Sequence, residues 1–472
     1  MKRVIINIKT GGSKMNGTAK RGGVNNVVTI FVGALLMGFL WSVRGAYGWG
    51  SAWGMLNTGF IYTAFIITVM GGRSKLGLGW LSITSIIFML TTPAWGTLLY
   101  QICGYIKEYN ADGQEVIAAE VSAPSAVFLM LCTGFGMAVL FGLLLGRAYS
   151  DTKWELWHFA AVLIAFYGAD LITRAFFGHW ILELVQPRAK EVFAEGLRLA
   201  EVKGGVWENY MKHFLDDGWA KGIIGGRNYF TSVKAIASAV RAAAAIIAVR
   251  FVAEDRRSAK VGLSVSGAFA LAITAADVIF FFSGGGWHNA QGFHLPDYVA
   301  DWGTWEYLTG FIAGMIITAA MLRMKTEEDA DDSFVDDVPL VPKEIFTFLS
   351  GYVILIGINV VRPLVMRYDR SLYQIFAVII AAVLAVGIIA FMAKKCGITV
   401  NKVDIKYFAS HLLLIMTVYD FLVLMFVGGK DYAQYASAQI IPNIFIVLSF
   451  AAVMIWEIYI FKKNKNPSSK IK

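Results

Sequence analysis

Four carboxylates fall within apolar runs of the chain, where an ionisable side chain is costly and usually serves a function. Asp170, Asp277 and Asp420 lie in the predicted outer halves of three runs, and Glu306 lies just inside the outer end of a fourth. Two carboxylates around one pocket can supply a general acid together with a base or nucleophile, the usual arrangement for glycoside cleavage. The sequence therefore predicts a carboxylate site that opens to the outer face of a membrane.

Asp277 and Glu306 are the predicted catalytic pair. Asp277 is the deeper of the two and is the expected general acid. Glu306, at the wetter rim of the pocket, is the expected base or nucleophile.

Two arginines also lie within predicted spans. Arg174 follows Asp170 by one helical turn on the same face, so the two can form an intrahelical pair. Arg241 falls near the middle of its run and needs a carboxylate from a neighbouring helix, for which Asp277 and Asp170 are the candidates. The alternative is that these charges pair only to fix helix packing. Several carboxylates with only two nearby cations are more than packing requires, which favours a polar cavity.

The predicted outer connections are rich in aromatic and polar residues. Tryptophan rings in such loops can stack on sugar rings or cations, although an aromatic belt at the membrane interface is the alternative for any single ring. With the intramembrane charges, these loops give the following predicted substrate-binding residues: Arg44, Trp49, Trp53, Asp170, Arg174, Arg241, Trp287, His288, Asn289, His294, Asp297, Asp301, Trp305 and Asp420.

A metal site in one of these loops is a second interpretation. His288, His294, Asp297 and Asp301 are residue types that bind zinc and similar ions, but their spacing matches no known ligand motif. The three cysteines are widely separated and form no CxxC pair. We therefore predict no metal and no cofactor.

These residues must be positioned by membrane-spanning helices. Of the 472 residues, 57% are hydrophobic and only 16% are charged, which excludes a water-soluble globule. Apolar runs long enough to cross the hydrocarbon layer recur along the chain. The fold class predicted is an all-α polytopic membrane protein with about twelve spans, at residues 27–43, 54–70, 77–100, 125–146, 157–177, 230–250, 261–282, 304–322, 345–361, 372–393, 407–427 and 438–461.

The distribution of lysine and arginine predicts the orientation. Placing both termini in the cytoplasm puts the basic clusters on the inner side. The formal net charge of +9 then lies mainly where anionic lipid attracts it, and needs no nucleic-acid partner. The expected location is the plasma membrane.

The predicted layout is one transmembrane domain between two basic tails. The tails cover residues 1–26 and 462–472, and the domain covers residues 27–461. Three long connections interrupt this domain. The first two are an extracytoplasmic segment with a helix along the membrane surface, residues 178–229, and an extracytoplasmic site loop, residues 283–303. The third is an acidic, solvated cytoplasmic linker, residues 324–344, for which a regulatory or cation-binding role is the alternative.

Two functions fit this pattern. The first is a membrane-embedded enzyme that acts on the polar headgroup of a lipid or glycolipid, by glycoside hydrolysis with a carboxylate pair. The lipid or glycolipid substrate is then the expected partner. The alternative is a proton- or sodium-coupled secondary transporter of a small polar solute, in which intramembrane carboxylates carry the ion.

Overall fold

The computed structural model describes most of the predicted spans. The described residues are 19–46, 52–73, 107–109, 115–117, 123–150, 152–215, 230–283, 302–328, 334–335, 337–338, 403–404, 409–410, 413–418, 420–421 and 440–465. The predicted spans at 77–100, 345–361 and 372–393 lie outside them.

Helices dominate the described residues. In chain order they are α1 Ala19–Ala46, α2 Ala52–Met70, α3 Ala123–Met137, α4 Val139–Ala148, α5 Leu156–Val185, α6 Pro187–Leu199, α7 Val206–Leu215, α8 Thr231–Phe251, α9 Arg256–Ser283, α10 Trp302–Glu328 and α11 Ile440–Lys465. Residues 409–410, 413–418 and 420–421 are also helical and fall in the predicted span 407–427.

Seven spans among the described residues are long and apolar enough to cross a membrane. They are Asn26–Arg44, Pro124–Ala148, Leu156–Val185, Thr231–Phe251, Arg256–Ile279, Gly303–Met324 and Asn443–Lys462. The predicted span 54–70 corresponds to α2, whose apolar part, Thr58–Met70, is shorter. The expectation of a helical membrane protein is confirmed, and the total of twelve spans stays a prediction.

Small residues bring the central helices close together. Gly310 and Gly314 of α10 face α1, and a Cβ on Gly314 would lie 2.5 Å from the backbone oxygen of Gly33. Gly142 and Gly146 of α4 approach α9 in the same way. Without a hydrophobic driving force in lipid, such close backbone contact is a main source of helix association. The result is a compact group of α1, α9 and α10 that fixes the ends of these helices relative to one another.

Helix α5 lies at the edge of the described bundle. Only 17% of the residues in its spanning segment are buried. Its large exposed apolar side chains include Leu163, Ile164, Tyr167, Leu171, Ile172 and Phe176. A helix with this pattern faces lipid, because apolar side chains meet no penalty there.

The segment predicted to lie along the outer membrane surface is built differently from the expectation. Residues 178–185 continue α5, and α6 and α7 follow as two amphipathic helices. Phe193 and Leu197 of α6 are buried against Tyr210 of α7 and Phe230, within the protein itself. The pattern correctly indicated an amphipathic helix, but its apolar face is covered by protein side chains. A position of this segment at the membrane surface stays a prediction.

Short strands join some connections. Gly72–Arg73 pairs antiparallel with Phe334–Val335, and Asp337–Val338 pairs antiparallel with Val403–Asp404. A separate pair joins Lys107–Tyr109 to Glu115–Ile117. The acidic segment 324–344 is therefore not a plain linker, because α10 continues through Glu328 and two of these strands lie within the segment.

The predicted N-terminal tail ends within a helix, and the predicted C-terminal tail begins within one. Helix α1 starts at Ala19, inside the predicted tail 1–26, and α11 continues to Lys465, inside the predicted tail 462–472. The site loop 283–303 shortens by one residue at its first end and two at its second, since α9 includes Ser283 and α10 begins at Trp302.

Candidate functional site

Three helix ends bring four of the predicted site residues together. Helices α1 and α9 end, and α10 begins, at the same end of the bundle. Arg44 lies near the end of α1, Asp277 in the last two turns of α9, Trp305 at the end of the first turn of α10, and Glu306 at the start of its second turn. We call Arg44, Asp277, Trp305 and Glu306 the polar junction.

An ion pair links two helices of the polar junction. Arg44 Nη2 donates a hydrogen bond to Glu306 Oε2, and the exposed fractions of the two side chains are 1% and 7%. The Arg44 guanidinium also lies 4.4 Å from the centre of the Trp41 ring. The sequence had indicated that Arg44 belongs to the loop after the first span. In the structure Arg44 is a residue of α1. Charge pairs this deeply buried hold their helices in register, because separating them strands a charge in a low-dielectric interior.

A second hydrogen bond links α9 to α10. Trp305 Nε1 donates to Asp277 Oδ1, and both side chains are buried. Asp277 thus faces a neutral donor, whereas Glu306 faces a guanidinium. Two carboxylates with such different partners are suited to different roles in acid–base chemistry. Trp305 itself is a buried partner of the carboxylate and not an exposed platform for a sugar ring.

Contrary to the prediction from sequence, Glu306 does not lie at the water-exposed edge of a pocket. Glu306 is buried, with an exposed fraction of 5%, and Asp277 is buried to a similar degree. The sequence placed Glu306 near water because it lies close to a helix end. Packing of α10 against α1 closes that end and makes the expectation of a wet rim wrong.

The charges of α5 and α8 form a separate group on different helices. Arg174 Nη2 donates to Asp170 Oδ1 at 3.0 Å, which confirms the predicted intrahelical pair. Arg241 Nη1 lies 3.7 Å from the same oxygen, so Asp170 and not Asp277 is its partner of the two candidates. The Arg241 guanidinium also lies 4.8 Å from the centre of the Phe166 ring. We call Asp170, Arg174 and Arg241 the α5–α8 charge cluster.

The remaining predicted residues are only partly described. Asp420 is fully buried in the helical pair 420–421. Trp53 lies in the first turn of α2. Outside the described residues lie Trp49, Trp287, His288, Asn289, His294, Asp297 and Asp301.

Metal ligation has no support in the part of the chain that the structure describes. No group of three or more His, Cys, Asp or Glu side chains that could hold an ion occurs there. The four loop residues of the metal interpretation lie outside that part, so the absence of a metal stays a prediction.

Glu457 is a buried carboxylate that the sequence analysis missed. It lies on α11 with 1% of its surface exposed, and Glu457 Oε1 accepts a hydrogen bond from Thr417 Oγ1 at 2.9 Å. Its other oxygen has no hydrogen-bond partner among the described residues. The sequence feature that could have identified Glu457 is its position as an acidic residue inside the predicted span 438–461, close to the basic residues that follow the span.

Asp255 is a second buried acid outside the predicted set, and its contacts give it a structural role. It accepts hydrogen bonds from the backbone nitrogen and the hydroxyl of Ser258, at 2.9 and 2.7 Å, in the first turn of α9. Ser150 Oγ and Trp154 Nε1 also donate to its carboxylate, each at 2.9 Å. Asp255 therefore caps α9 and ties it to the connection between α4 and α5.

Comparison of the chain with protein-family models, with curated proteins and with solved structures finds no match. The function is therefore inferred from the contacts of the side chains themselves.

Proposed function

We propose that the chain is a membrane-embedded hydrolase that acts on the polar headgroup of a lipid or glycolipid, with Asp277 and Glu306 as the reacting carboxylates. The observation that carries this proposal is that both carboxylates are bound at one end of α9 and α10, Asp277 by Trp305, and Glu306, the next residue after Trp305, by Arg44. Residues 284–301, which join these helices, contain Trp287, His288 and Asn289. A headgroup bound by residues of this connection would be delivered to the helix ends that carry the two carboxylates.

The contacts of the two carboxylates suggest their roles. Glu306 faces the Arg44 guanidinium, which stabilises a carboxylate anion, so Glu306 is the base or nucleophile. Among the described residues Asp277 accepts a hydrogen bond from a neutral donor, the Trp305 indole, so Asp277 is the general acid. In glycoside cleavage Asp277 would protonate the leaving oxygen while Glu306, or water that it activates, bonds to the sugar carbon.

Access to the polar junction requires a conformational change in this proposal. Trp305 and Glu306 are buried, and the Arg44 pair occupies the carboxylate that must react. A headgroup that offers its own hydrogen bonds to Arg44 would free Glu306 for the reaction. Substrate-driven exchange of this kind also keeps water away from the carboxylates until the substrate is bound.

We place the polar junction at the outer face of the plasma membrane, with both termini in the cytoplasm. The basic segments of the sequence support this orientation. The strand pairs are consistent with the order of the predicted spans, because Gly72–Arg73, Phe334–Val335 and Val403–Asp404 belong to three connections that it puts on one and the same side.

A proton- or sodium-coupled transporter is the second candidate, and Glu457 is the observation that favours it. In the proposed orientation the carboxylates lie at three depths, with Glu306 near the outer end of α10, Asp170 within α5 and Glu457 near the inner end of α11. Buried carboxylates at several depths are typical of ion pathways through membranes. An enzyme with its site at the outer end has no evident need for Glu457.

The deciding experiment uses purified full-length protein and the variants Asp277→Asn, Glu306→Gln and Glu457→Gln. Protein in detergent is incubated with a panel of glycolipids, and released sugar is measured by mass spectrometry. For the enzyme, Asp277→Asn and Glu306→Gln each lower turnover by about 10²- to 10⁴-fold, and Glu457→Gln leaves it unchanged.

The same proteins in sealed vesicles test the transporter. Uptake of a panel of labelled sugars and amino acids is followed under an imposed proton or sodium gradient. Gradient-driven uptake that is lost in Glu457→Gln, with no sugar released in detergent, overturns the enzyme and establishes the transporter.

A further inference from the structure

The α5–α8 charge cluster plays no part in the chemistry proposed above. Placing its charges within membrane-spanning helices nevertheless costs free energy. Arg241 is the central residue of α8, so it lies about 15 Å from either end of that helix. An arginine at the centre of a membrane-spanning helix needs close compensation of its charge. The contacts of Arg241 therefore decide what the cluster can do.

The described contacts of Arg241 compensate its positive charge and satisfy its N–H donors only in part. Its nearest described carboxylate, Asp170, lies 3.7 Å away and already accepts the shorter hydrogen bond of Arg174. The contact from Arg241 Nη2 to Ser238 Oγ is long, at 3.4 Å, and Arg241 Nε has no hydrogen-bond partner among the described residues. A guanidinium carries five N–H donors, so Arg241 retains donors for a further acceptor.

The cluster is also within reach of the bilayer. The side chains of Asp170, Arg174 and Arg241 keep exposed fractions of 15%, 20% and 14%. They lie on or against α5, whose spanning segment is mostly uncovered. We therefore expect a ligand dissolved in the bilayer to reach the cluster past the uncovered side of α5.

We propose that Asp170, Arg174 and Arg241 form a binding site for an oxyanion, a phosphate or a carboxylate, carried by a membrane lipid. The forked guanidinium group matches the oxygens of such anions and binds them by paired, charge-assisted hydrogen bonds. The Phe166 ring, which lies under the Arg241 guanidinium, limits its movement and leaves its edge for the ligand. Asp170 holds both arginines in place when the site is empty and competes with the incoming anion.

This competition gives the proposal a signature that packing alone does not produce. Removing the charge of Asp170 removes the anion that competes for Arg241 and should tighten anion binding, whereas removing Arg241 should weaken it. If the cluster only fixed the packing of α5 and α8, both changes would lower stability and neither would alter a response to anions.

The test is thermal unfolding of the full-length protein in a neutral detergent, titrated with phosphatidic acid, oleate, inorganic phosphate or phosphatidylcholine. We expect phosphatidic acid or oleate to raise the melting temperature in a saturable manner, with no effect of phosphatidylcholine. Arg241→Gln should weaken the apparent affinity by roughly 10- to 100-fold, as expected for loss of a charge-assisted hydrogen bond. Asp170→Asn should strengthen it. Arg250→Gln, which removes a charge in the last turn of α8, is the matched control and should behave as the unaltered protein does.

Other results of this experiment also support or overturn the proposed anion site. An equal response to inorganic phosphate keeps the site and assigns it to a free anion. An absent response, or one that is unchanged in Arg241→Gln, overturns the proposal. A dimer that dissociates in Arg241→Gln without any dependence on anions also overturns it, because the acceptor is then a second copy of the chain. If Arg241→Gln does not fold, unchanged or weaker binding in Asp170→Asn alone refutes the site.

Discussion

Trp305 and Glu306 are neighbours in the chain but bind different helices. The indole of Trp305 donates to Asp277 of α9, and the carboxylate of Glu306 accepts from Arg44 of α1. Consecutive residues of a helix point about 100° apart, so the start of α10 can contact both neighbours at once. The two carboxylates therefore share one backbone support, and a change in the position of α10 alters both of them.

The Arg44–Glu306 pair should be strongly coupled in stability. Arg44→Leu leaves the carboxylate of Glu306 buried without this partner, and we expect a loss of about 3–5 kcal/mol in the free energy of unfolding. The double variant Arg44→Leu with Glu306→Leu should recover much of that loss, because neither charge then remains. Thermal unfolding in detergent measures all three variants. Losses that simply add would show that the pair does not stabilise the fold.

The contact between α1 and α10 makes a second prediction. Gly314→Ala places a methyl group against the backbone of α1, and overpacking of this kind typically costs about 1–3 kcal/mol. Gly267→Ala is the matched control, since the same methyl group on α9 would meet no atom within 4 Å. We expect the control to keep or slightly raise the melting temperature. Equal effects of the two changes would show that α1 and α10 do not pack this closely.

Local features of this chain were accessible from sequence. The Asp170–Arg174 pair follows from a spacing of one helical turn, and the seven described spans follow from the length of apolar runs. Both depend only on residues close in the chain. The partner of Arg241 was left open between two aspartates because it depends on which helices are neighbours.

Burial at helix ends was the feature that sequence predicted worst. Glu306 lies near the start of α10, where hydropathy predicts contact with water, yet it is buried and paired with Arg44 of α1. Phe193 belongs to the segment predicted to lie along the membrane surface, yet α7 and Phe230 cover its side chain. A hydropathy pattern shows that a face is apolar but not whether lipid or protein covers that face.

Tyr210 provides a prediction of pH dependence outside the membrane-spanning segments. Its hydroxyl donates to the backbone oxygen of Arg174 at 2.7 Å, and burial raises the pKa of Tyr210 to about 12. The ordinary value is about 10, so the folded state favours the neutral phenol. This contribution is complete below pH 10 and is lost as the pH rises toward 12.

Tyr210→Phe is the variant that isolates this effect. Melting temperatures in detergent should fall more steeply between pH 10 and 12 for the unaltered protein than for Tyr210→Phe. Lysine side chains titrate over the same range, but they are identical in both proteins and cancel in the difference. Parallel curves would show that Tyr210 does not remain buried and neutral in solution.

Orientation can be tested with single cysteines in the two connections at the ends of α10. The natural cysteines Cys103, Cys132 and Cys396 are first replaced by serine, and then Gly292→Cys or Ser333→Cys is introduced. If the polar junction faces outward, Gly292→Cys should react with a membrane-impermeant maleimide added to intact cells, and Ser333→Cys should react only after the cells are opened. The length and composition of α10 indicate that it crosses the membrane, and we therefore expect these two positions on opposite sides. The reverse pattern would put the polar junction on the cytoplasmic side, where an extracellular headgroup cannot reach Asp277 and Glu306.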